Sequence, residues 1–397
     1  MRLKMKTEIK NKVLLDLADL IIAHTQKIIN ANKMDLACCS QDDEALYDRL
    51  KVDESKVVGM QSSVLKVMQM DDPEGKVLYH FEKEGNLTIE NRVVPFGTIL
   101  IIYESRPDVT IEAAITAFKA GNKILLKGGK EARNSNLLLV DLWQQALSNN
   151  HQPKDVVQYL DYNREQTQEL IKSNKYKIDV IIPRGGERLI QSIQQNTDIP
   201  MIISGRGNNF MYIDNEADFD MACRIILDGK SRISVCNALD KVYIHKNIEQ
   251  KLVNKLISIL HANNIEIVAD DAICHLDTNI VAIDNESVYF QEFLANKILL
   301  ATVDNMFDAI TGINKYSGGH STVIVTNNQD AARQFQNQVD CAAVYHNAST
   351  RYTDGGEFGL GAEIAISTQK LHFRGPVGLN ELVTNKWFIS GDGHVRG

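Results

Sequence analysis

The sequence predicts an α/β fold with parallel β-sheets, divided between two domains. Short apolar runs rich in β-branched residues alternate with longer amphipathic stretches, which is typical of βαβ units. The length of 397 residues favours two or three domains, at roughly 100–200 residues each. With 44% apolar and 24% charged residues the composition is that of a folded protein, which excludes wholesale disorder.

The N-terminal part of the chain is predicted to be helical. Apolar residues recur at helical spacing over 8–33, and a second predicted helix over 53–70 ends before Pro73. The pattern then changes to alternation over 77–89 around Gly85-Asn86, a dipeptide suited to a tight turn between antiparallel strands. A β-hairpin is therefore predicted here.

Strand–turn–helix units are predicted to follow the hairpin. Apolar strands at 98–103, 123–127 and 178–183 each lead into an amphipathic helix, and 201–204 is a further short run. Glycine-containing turns follow the second and third of these strands, at the carboxyl ends where α/β proteins bind phosphate groups. Taken alone, such a turn is more often a tight connection than a phosphate site. The predicted helices cover 111–119, a stretch that reaches 147 and a stretch that reaches 196.

The second half repeats this alternation and is predicted to form a second α/β domain. A final apolar strand is predicted at 387–390, and a strand at a chain end needs a partner strand in its own sheet or in another subunit. The predicted helices cover 219–228 and 248–262 and start again at 306, and the predicted strands cover 241–245, 265–268, 298–303, 322–326 and 342–346.

Charge and hydropathy exclude several functional classes. The chain has 43 Lys and Arg residues against 51 Asp and Glu and no long run of like charge, which argues against nucleic acid as a partner. No apolar run approaches the roughly 18 residues of a membrane-spanning helix, so we expect no membrane partner. The polar, basic N-terminus does not fit a signal peptide, and we expect a cytoplasmic protein.

Cysteine usage indicates chemistry rather than cross-linking. The six cysteines form no C-x-x-C pair and show no zinc-like spacing with histidine, so neither a metal site nor a disulfide framework is predicted. Cys236 lies in a predicted loop among small and polar residues, where its thiolate is a candidate nucleophile. The alternative from the residues alone is a buried, inert thiol, which is the usual state of cysteine in a folded protein.

Six motifs occur in one order along the chain. They are VPFGTILIIYESRP at 94–107, KGGKE at 127–131, IPRGG at 182–186, SVCNA at 234–238, KYSGGHS at 315–321 and NASTRYTDGGEFG at 347–359. Through these motifs the chain resembles the gamma-glutamyl phosphate reductases of the aldehyde dehydrogenase superfamily over nearly its whole length. The resemblance implies an aldehyde dehydrogenase-like α/β fold, with a Rossmann-like cofactor domain, an α/β catalytic domain and a small oligomerisation β-hairpin.

The resemblance also implies domain boundaries. Residues 1–76 and 95–207 are expected to bind NADP, and residues 208–379 are expected to form the catalytic domain with the nucleophilic thiol. Residues 77–94 and 380–397 are expected to form oligomerisation strands, which makes the protein at least a homodimer.

The implied activity is the NADPH-dependent reduction of L-glutamyl 5-phosphate to L-glutamate 5-semialdehyde with release of phosphate, the second step of proline biosynthesis. Cys236 is expected to displace the phosphate and form a thioester, which the nicotinamide hydride reduces. The tetrahedral intermediates need an oxyanion hole, for which the expected donors are the Cys236 backbone N–H and Ser105, in the place of an Asn in relatives. Glutamate 5-kinase, which makes the substrate, is an expected partner.

Binding residues are carried over from the same motifs. Glu292 matches the glutamate that holds the nicotinamide ribose, and Lys130 adds positive charge for a 2′-phosphate. Arg106 is a candidate for the substrate carboxylate or phosphate, since a guanidinium suits either. The residues expected to hold NADPH are Lys127, Gly128, Lys130, Arg184, Gly185, Gly186 and Glu292, and those expected to contact the substrate are Arg106, Asn237, Asn347, Ser349 and Thr350.

The chain departs from the family pattern at several positions. Ile203 stands where close relatives carry the glutamate that activates water in hydrolytic aldehyde dehydrogenases, and Ile233 stands where proline is common. Arg206 and Asn209 also replace more usual residues. A biosynthetic reductase needs no deacylating water, so the change at Ile203 is compatible with the implied reaction. Two alternatives stay open: a reductase of another acyl phosphate, and a catalytically impaired nucleotide-binding homologue.

Overall fold

The computed structural model describes residues 5–39 and 44–396. The chain forms two compact units, and the first boundary between them, after Ile203, lies close to the predicted boundary after residue 207. Unit 1 comprises residues 1–203, 359–365 and 377–397, and unit 2 comprises residues 204–358 and 366–376, apart from the residues outside the described ranges.

The second boundary differs from the prediction. Residues 359–365 and 377–379 belong to unit 1, although the predicted catalytic domain covers 208–379 without interruption. The reason is apolar packing, because Ile364 and Val377 are buried in the hydrophobic core of unit 1. The predicted ranges 1–76 and 380–397 contain residues 1–4, 40–43 and 397, which lie outside the described residues.

Unit 1 begins with helices and continues as alternating strands and helices. Its helices are α1 (Thr7–Ala23), α2 (Thr25–Leu36), α3 (Glu44–Leu50), α4 (Glu54–Gln69), α5 (Val109–Lys119), α6 (Arg133–Asn149), α7 (Arg164–Ser173) and α8 (Glu187–Gln194). Its first strands are β1 (Val77–Lys83), β2 (Leu87–Pro95), β3 (Thr98–Tyr103), β4 (Lys123–Lys127), β5 (Val157–Tyr159) and β6 (Val180–Arg184).

Unit 2 is a second α/β unit. Its strands are β7 (Asn209–Ile213), β8 (Leu239–His245), β9 (Glu266–Ala269), β10 (Val281–Ala282), β11 (Lys297–Val303), β12 (Ser321–Val325) and β13 (Ala343–His346). Its helices are α9 (Phe219–Gly229), α10 (Gln250–Ala262), α11 (Asp271–Cys274), α12 (Met306–Tyr316) and α13 (Gln329–Gln338). The chain continues through β14 (Ala365–Ser367) and β15 (Gly375–Val377), which pair with each other, and β16 (Val383–Ser390).

Each unit has its own parallel sheet. In unit 1 the strand order is β5-β4-β3-β6, and in unit 2 it is β10-β9-β11-β8-β7-β12-β13. Strand β3 shows why the apolar runs are continuous, since Ile99 and Ile101 pack in one hydrophobic cluster and Leu100 and Ile102 in another. A parallel strand with a core on each face needs apolar residues at every position.

The predicted hairpin is confirmed, and β1, β2 and β16 form an antiparallel sheet in that order. The strands β1 and β2 join at Gly85-Asn86, whose positive φ angles of 76° and 68° suit a tight hairpin turn. Large apolar side chains are exposed on this sheet: Tyr79 and Trp387 stack with ring centroids 6.2 Å apart. This antiparallel sheet of unit 1 therefore carries an exposed apolar surface.

Some elements differ from the prediction. The predicted helix 8–33 is interrupted at His24, which separates α1 from α2. Residues 201–204 do not form a strand. Met201 makes an isolated bridge with Ile181, and Ser204 makes another with Ser367. Strand β7 is absent from the prediction although all its residues are buried. The polar residues Asn208 and Asn209 precede its apolar residues and shorten the apolar run. Helices α7 and α13 are absent from it because their sequences are mostly polar. Across the described residues, none of the helices is both long and apolar enough to span a membrane.

One buried carboxylate ties the N-terminal helices to the rest of unit 1. Asp35, near the end of α2, accepts hydrogen bonds from the backbone N–H groups of Asn134 (3.0 Å) and Ser135 (2.8 Å). It also accepts from Asn134 Nδ2 (2.9 Å) and Ser135 Oγ (2.6 Å). The two N–H groups belong to the first turn of α6, where backbone donors lack partners within the helix and negative charge is favourable.

We expect Asp35→Ala to lower the free energy of unfolding by about 2–4 kcal/mol, because it leaves buried donors of α6 without an acceptor. Urea unfolding followed by circular dichroism measures the change. Asp19→Ala, at an exposed position of α1, is the matched control and should change the free energy of unfolding by less than about 0.5 kcal/mol. Equal effects of the two substitutions would contradict the assigned role of Asp35.

Candidate active site

Cys236 lies in the loop between α9 and β8, and its side chain is partly buried. All six cysteines belong to the described residues, and no disulfide joins them. Burial raises the pKa of the Cys223 thiol, and it raises the pKa of the Cys341 thiol to about 11. These two thiols are therefore poor nucleophiles at neutral pH, and Cys236 is the better-placed candidate.

Asn209 holds the loop that carries Cys236. Its buried side chain donates from Nδ2 to the carbonyl oxygens of Cys236 (2.8 Å) and Ala238 (2.6 Å). Its Oδ1 accepts from the Ser321 N–H (3.1 Å), which connects the loop to β12 as well. The side chain of Asn209 thus fixes the backbone on both sides of Asn237, and sequence reasoning noted this residue only as a departure from the family.

Gly207 lies directly against the backbone of Cys236. A Cβ atom at Gly207 would lie 2.1 Å from the Cys236 carbonyl oxygen and 2.5 Å from its Cα. No side chain fits in that space, because real Cβ atoms do not approach backbone atoms so closely. The loop before β7 therefore touches the thiol loop through backbone atoms, and the G-x-G pair at 205–207 was the only sequence signal for this contact.

The predicted substrate residues Asn237 and Thr350 are in contact. Thr350 Oγ1 donates to the Asn237 carbonyl oxygen (2.9 Å), and Asn237 Nδ2 donates to the carbonyl oxygens of Arg351 (3.0 Å) and Thr353 (3.1 Å). The Arg351 guanidinium donates to Asn237 Oδ1. The loop after β13 and the thiol loop are therefore joined in unit 2, and Arg351, which the sequence analysis did not single out, is a cation that contacts Asn237, the residue after Cys236.

Ser349 and Asn347 have local partners. Ser349 Oγ accepts from the Arg351 N–H (3.2 Å) at the start of a short 3₁₀ turn. The Asn347 side chain bonds to both the N–H (3.0 Å) and the carbonyl oxygen (2.9 Å) of Thr326, and its own backbone has a φ of 56°. Asn347 thereby holds the ends of β12 and β13 together, and its predicted contact with substrate stays a prediction.

Glu292 lies in the segment between β10 and β11 and is partly buried. The Gly207 backbone N–H faces its carboxylate and favours the ionised form, so the same glycine lies beside both Glu292 and the thiol loop. Burial, followed by the nearby Asp240 carboxylate, raises the pKa of Glu292 to about 7. Two side chains that precede β7 also hold the backbone just before Glu292. Asn208 Nδ2 donates to the Tyr289 carbonyl oxygen (2.7 Å), and Arg206 Nη1 donates to the Phe290 carbonyl oxygen (3.1 Å).

The predicted cofactor residues of unit 1 lie at one edge of its sheet. Lys127 ends β4 and is partly buried, and burial lowers the pKa of its ammonium group. Its Nζ donates to the Gly128 carbonyl oxygen (2.5 Å). A Cβ at Gly128 would lie 2.2 Å from Asn136 Nδ2, so packing within unit 1 already requires glycine there. Lys130 is exposed.

The turn after β6 is open to solvent. Gly185 and Gly186 are exposed, and a Cβ at Gly186 would meet no heavy atom within 4 Å. The Gly186 N–H, at the start of α8, donates to the carboxylate of Glu104 (3.0 Å), a residue that the sequence analysis did not single out. Arg184 precedes this turn and is partly buried. This helix start thus already holds one anionic oxygen.

Ser105 and Arg106 follow β3 in unit 1. Ser105 is buried and has a φ of 42°, an uncommon conformation for a residue other than glycine. Arg106 is partly buried. These two residues belong to unit 1, whereas Cys236, Glu292 and the 347–350 loop belong to unit 2.

His320 and the metal-ligating side chain types were the other candidates for chemistry in the sequence. Burial lowers the pKa of His320 to about 4, so its imidazole is neutral at physiological pH, and its Nδ1 lies 2.8 Å from Ser321 Oγ. Within residues 5–39 and 44–396, no group of His, Cys, Asp and Glu side chains is arranged to hold a metal ion.

Comparisons with known proteins identify relatives over nearly the whole chain. The aldehyde dehydrogenase family model matches residues 4–272. The gamma-glutamyl phosphate reductase of Nitratiruptor sp. is 42% identical over 394 residues, which cover 98% of this chain and 94% of that protein.

Solved structures agree with the sequence comparison. The gamma-glutamyl phosphate reductase of Thermotoga maritima matches with a TM-score of 0.93 at 37% identity, covering 99% of this chain and 96% of that one. An acetylating aldehyde dehydrogenase from Geobacillus thermoglucosidasius matches with a TM-score of 0.72 at 15% identity, covering 99% of this chain and 94% of that one, which shows the shared fold. The predicted aldehyde dehydrogenase-like α/β fold is confirmed.

Proposed function

The chain belongs to the aldehyde dehydrogenase family, in the branch of the gamma-glutamyl phosphate reductases, and we propose that it reduces L-glutamyl 5-phosphate with NADPH through a thioester on Cys236. Its product is L-glutamate 5-semialdehyde, an intermediate of proline biosynthesis. The observation that carries the proposal is the thiol loop of unit 2, in which Asn209 and Gly207 fix the backbone around Cys236. The family relationship over 98% of the chain supports it.

The first chemical step uses the acyl phosphate as an activated carbonyl. The Cys236 thiol loses its proton to solvent, and its sulfur bonds to the acyl carbon as the bond from that carbon to the phosphate oxygen breaks. Inorganic phosphate leaves with the bonding electron pair, and a thioester remains on the enzyme. The Cys236 backbone N–H and the Ser105 hydroxyl are the proposed donors to the oxygen that becomes negative in this step.

The nicotinamide cofactor supplies, when bound, the hydride that converts the thioester to the aldehyde. The turn after β6 fits a dinucleotide phosphate, because Gly185 and Gly186 are exposed at a helix start and a Cβ at Gly186 would meet no heavy atom within 4 Å. The Gly186 N–H, which donates to the Glu104 carboxylate, would exchange that acceptor for a phosphate oxygen. Lys127 is proposed to hold the adenine ribose, and the exposed Lys130 is proposed to favour NADPH by its charge near the 2′-phosphate.

The substrate offers an α-carboxylate, an α-amino group and the acyl phosphate. Arg106 is proposed to bind the carboxylate or the phosphate, since guanidinium pairs with either in a bidentate way. Asn237 and Thr350 are proposed to shape the substrate site next to the thiol, because their hydrogen bonds hold the loop after β13 beside Cys236. The acyl phosphate is labile, which is the reason to propose glutamate 5-kinase as a partner, and we propose that this protein acts in the cytoplasm.

Cys236→Ala should reduce turnover to below about 1% of the wild-type rate, because the thioester can no longer form. Binding of NADPH should stay within about twofold of wild type, since the proposed cofactor residues other than Glu292 belong to unit 1. Cys274→Ala, which removes another partly buried thiol of unit 2, is the matched control and should keep full activity. Turnover above a few per cent in Cys236→Ala would contradict covalent catalysis through this residue. Assays of the wild-type protein with several acyl phosphates test which substrate it prefers.

From the side chain at Ile203 we predict that the reverse reaction, oxidation of the semialdehyde, depends on phosphate. A glutamate at this position would activate water toward the thioester, whereas the alkyl side chain of Ile203 cannot accept a proton. Semialdehyde oxidation should therefore require inorganic phosphate and yield the acyl phosphate rather than free glutamate. Product analysis with and without phosphate measures this, and oxidation at a comparable rate without phosphate would show that another group activates water.

We also propose that the sheet formed by β1, β2 and β16 pairs with a second copy of the chain. Tyr79, Phe81, Trp387 and Ile389 are all exposed on this sheet, and an uncovered sheet with apolar side chains is a liability for a single chain. A two-fold axis would let the same surface cover itself.

Light scattering should accordingly give a mass of at least twice the 44.5 kDa of one chain. Trp387→Glu should lower the mass toward that of one chain, because it places a charge in the proposed apolar interface. Phe307→Glu, at an exposed aromatic residue of unit 2, is the control and should leave the mass unchanged. A wild-type mass of 44.5 kDa that does not rise with concentration would disprove the dimer.

A further inference from the structure

The backbone on either side of Glu292 is held by two neighbouring residues of β8. Before it, Lys241 Nζ donates to the Gln291 carbonyl oxygen (2.7 Å). After it, the Phe293 N–H donates to Asp240 Oδ2 (2.8 Å). These two hydrogen bonds fix the backbone around Glu292 within unit 2, and the Gly207 backbone N–H faces its carboxylate.

Both side chains reach this segment because β8 is irregular at Asp240. Consecutive residues of a regular strand point to opposite faces of the sheet. In the pairing of β7 with β8, Asn209 lies opposite Leu239. The next residue of β7 lies opposite Lys241, so Asp240 is an extra residue in β8, a β-bulge. The bulge allows Asp240 and Lys241 to contact the same stretch of backbone.

The contacts are made by buried charges. Lys241 is fully buried, and its Nζ lies 3.5 Å from the centroid of the Phe293 ring. Asp240 pairs with Lys230 (3.2 Å), and both side chains are only 2% exposed. Buried ion pairs commonly contribute less stability than apolar side chains of similar size. Stability alone therefore does not account for this cluster, and its position around Glu292 calls for a role there.

We propose that Asp240 and Lys241 are positioning residues for Glu292, which fix its place and set the charge around its carboxylate for binding the nicotinamide ribose. The inference rests on the proposed function, in which Glu292 binds that ribose. An ionised carboxylate accepts hydrogen bonds from both ribose hydroxyls, whereas a protonated one loses part of its acceptor capacity. The charges around Glu292 then determine the pH range over which the cofactor binds well.

The neighbours of Glu292 act on its ionisation in opposite directions. Burial and Asp240 raise the pKa of Glu292 to about 7, and Lys241 lowers it. Burial lowers the pKa of Lys241 to about 7 as well. Below about pH 7 the Glu292 carboxyl is protonated, so cofactor affinity should fall as the pH decreases through this range. The charged groups that face Glu292 are Asp240, Arg206 and Lys241, and Lys241 also faces Lys230 and Lys297.

Two substitutions that keep size and hydrogen bonding but remove charge test the proposal. Lys241→Gln retains a donor to the Gln291 carbonyl, and Asp240→Asn retains an acceptor for the Phe293 N–H. The dissociation constant of NADPH is measured by nucleotide fluorescence between about pH 6 and pH 9. In wild type the affinity should rise with pH around a midpoint near 7. Lys241→Gln should move the midpoint up by about one pH unit and Asp240→Asn should move it down by about one, since each removes a charge next to the carboxylate.

Other variants separate this role from general damage. Lys246→Gln, at an exposed lysine just after β8, should keep the wild-type midpoint. Glu292→Gln should lose the rise near pH 7, and whatever pH dependence it retains belongs to other groups, the 2′-phosphate of NADPH among them. At pH 7, Lys241→Gln should raise the KM for NADPH several-fold while kcat at saturating NADPH stays within about twofold.

The outcomes are distinguishable. Wild-type midpoints in both Lys241→Gln and Asp240→Asn would overturn the inference and leave the proposed function intact. A folded wild-type protein that binds no NADPH would overturn the proposed function and the inference together. Thermal unfolding checks each variant, since Asp240→Asn leaves Lys230 buried without its carboxylate partner. If that variant does not fold, the midpoint of Lys241→Gln decides alone.

Discussion

The backbone contact between Gly207 and Cys236 is the constraint on which the candidate site depends. A Cβ at residue 207 would lie 2.1 Å from the Cys236 carbonyl oxygen, so only glycine lets the two loops meet. The Gly207 N–H also faces the Glu292 carboxylate, and Asn209, two residues later, donates to the carbonyl oxygens of Cys236 and Ala238 in the thiol loop. Cys236, the proposed nucleophile, and Glu292, the proposed ribose ligand, therefore both lie against residues 207–209 at the start of β7, and a change in that segment would displace both.

Unit 2 retains buried polar groups where apolar side chains would cost less. The Lys230–Asp240 pair and Lys241 are almost fully excluded from solvent, and each makes a defined contact with its surroundings. Such groups contribute geometry more than stability, because a hydrogen bond has a direction and apolar contact does not. Burial also affects Cys341, because it raises the pKa of the thiol to about 11 and so keeps the thiol protonated at neutral pH. Burial in unit 2 therefore makes the Cys341 thiol a poor nucleophile, whereas the buried Lys and Asp side chains keep defined hydrogen bonds.

The glycine turns of unit 1 have different physical reasons. Gly128 packs against Asn136 so closely that a Cβ would lie 2.2 Å from the amide nitrogen, which is sufficient reason for glycine without any ligand. Gly186 is exposed, has open space where a Cβ would lie, and donates its N–H to Glu104. The second turn is the better candidate for the proposed phosphate contact, because packing does not account for its glycine. In sequence the two turns look alike.

The sequence by itself determined the α/β class, the hairpin, most strands of both sheets and the position of Cys236 in a loop, because each leaves a local pattern of apolar spacing or turn residues. It also determined the family, through motifs whose order is visible without coordinates. Only the tertiary structure showed β7, the bulge at Asp240 and the contacts that hold Glu292. Strand register depends on the neighbouring strand, and hydrogen bonds such as that from Asn208 to Tyr289 join residues 81 positions apart, so no local pattern records them.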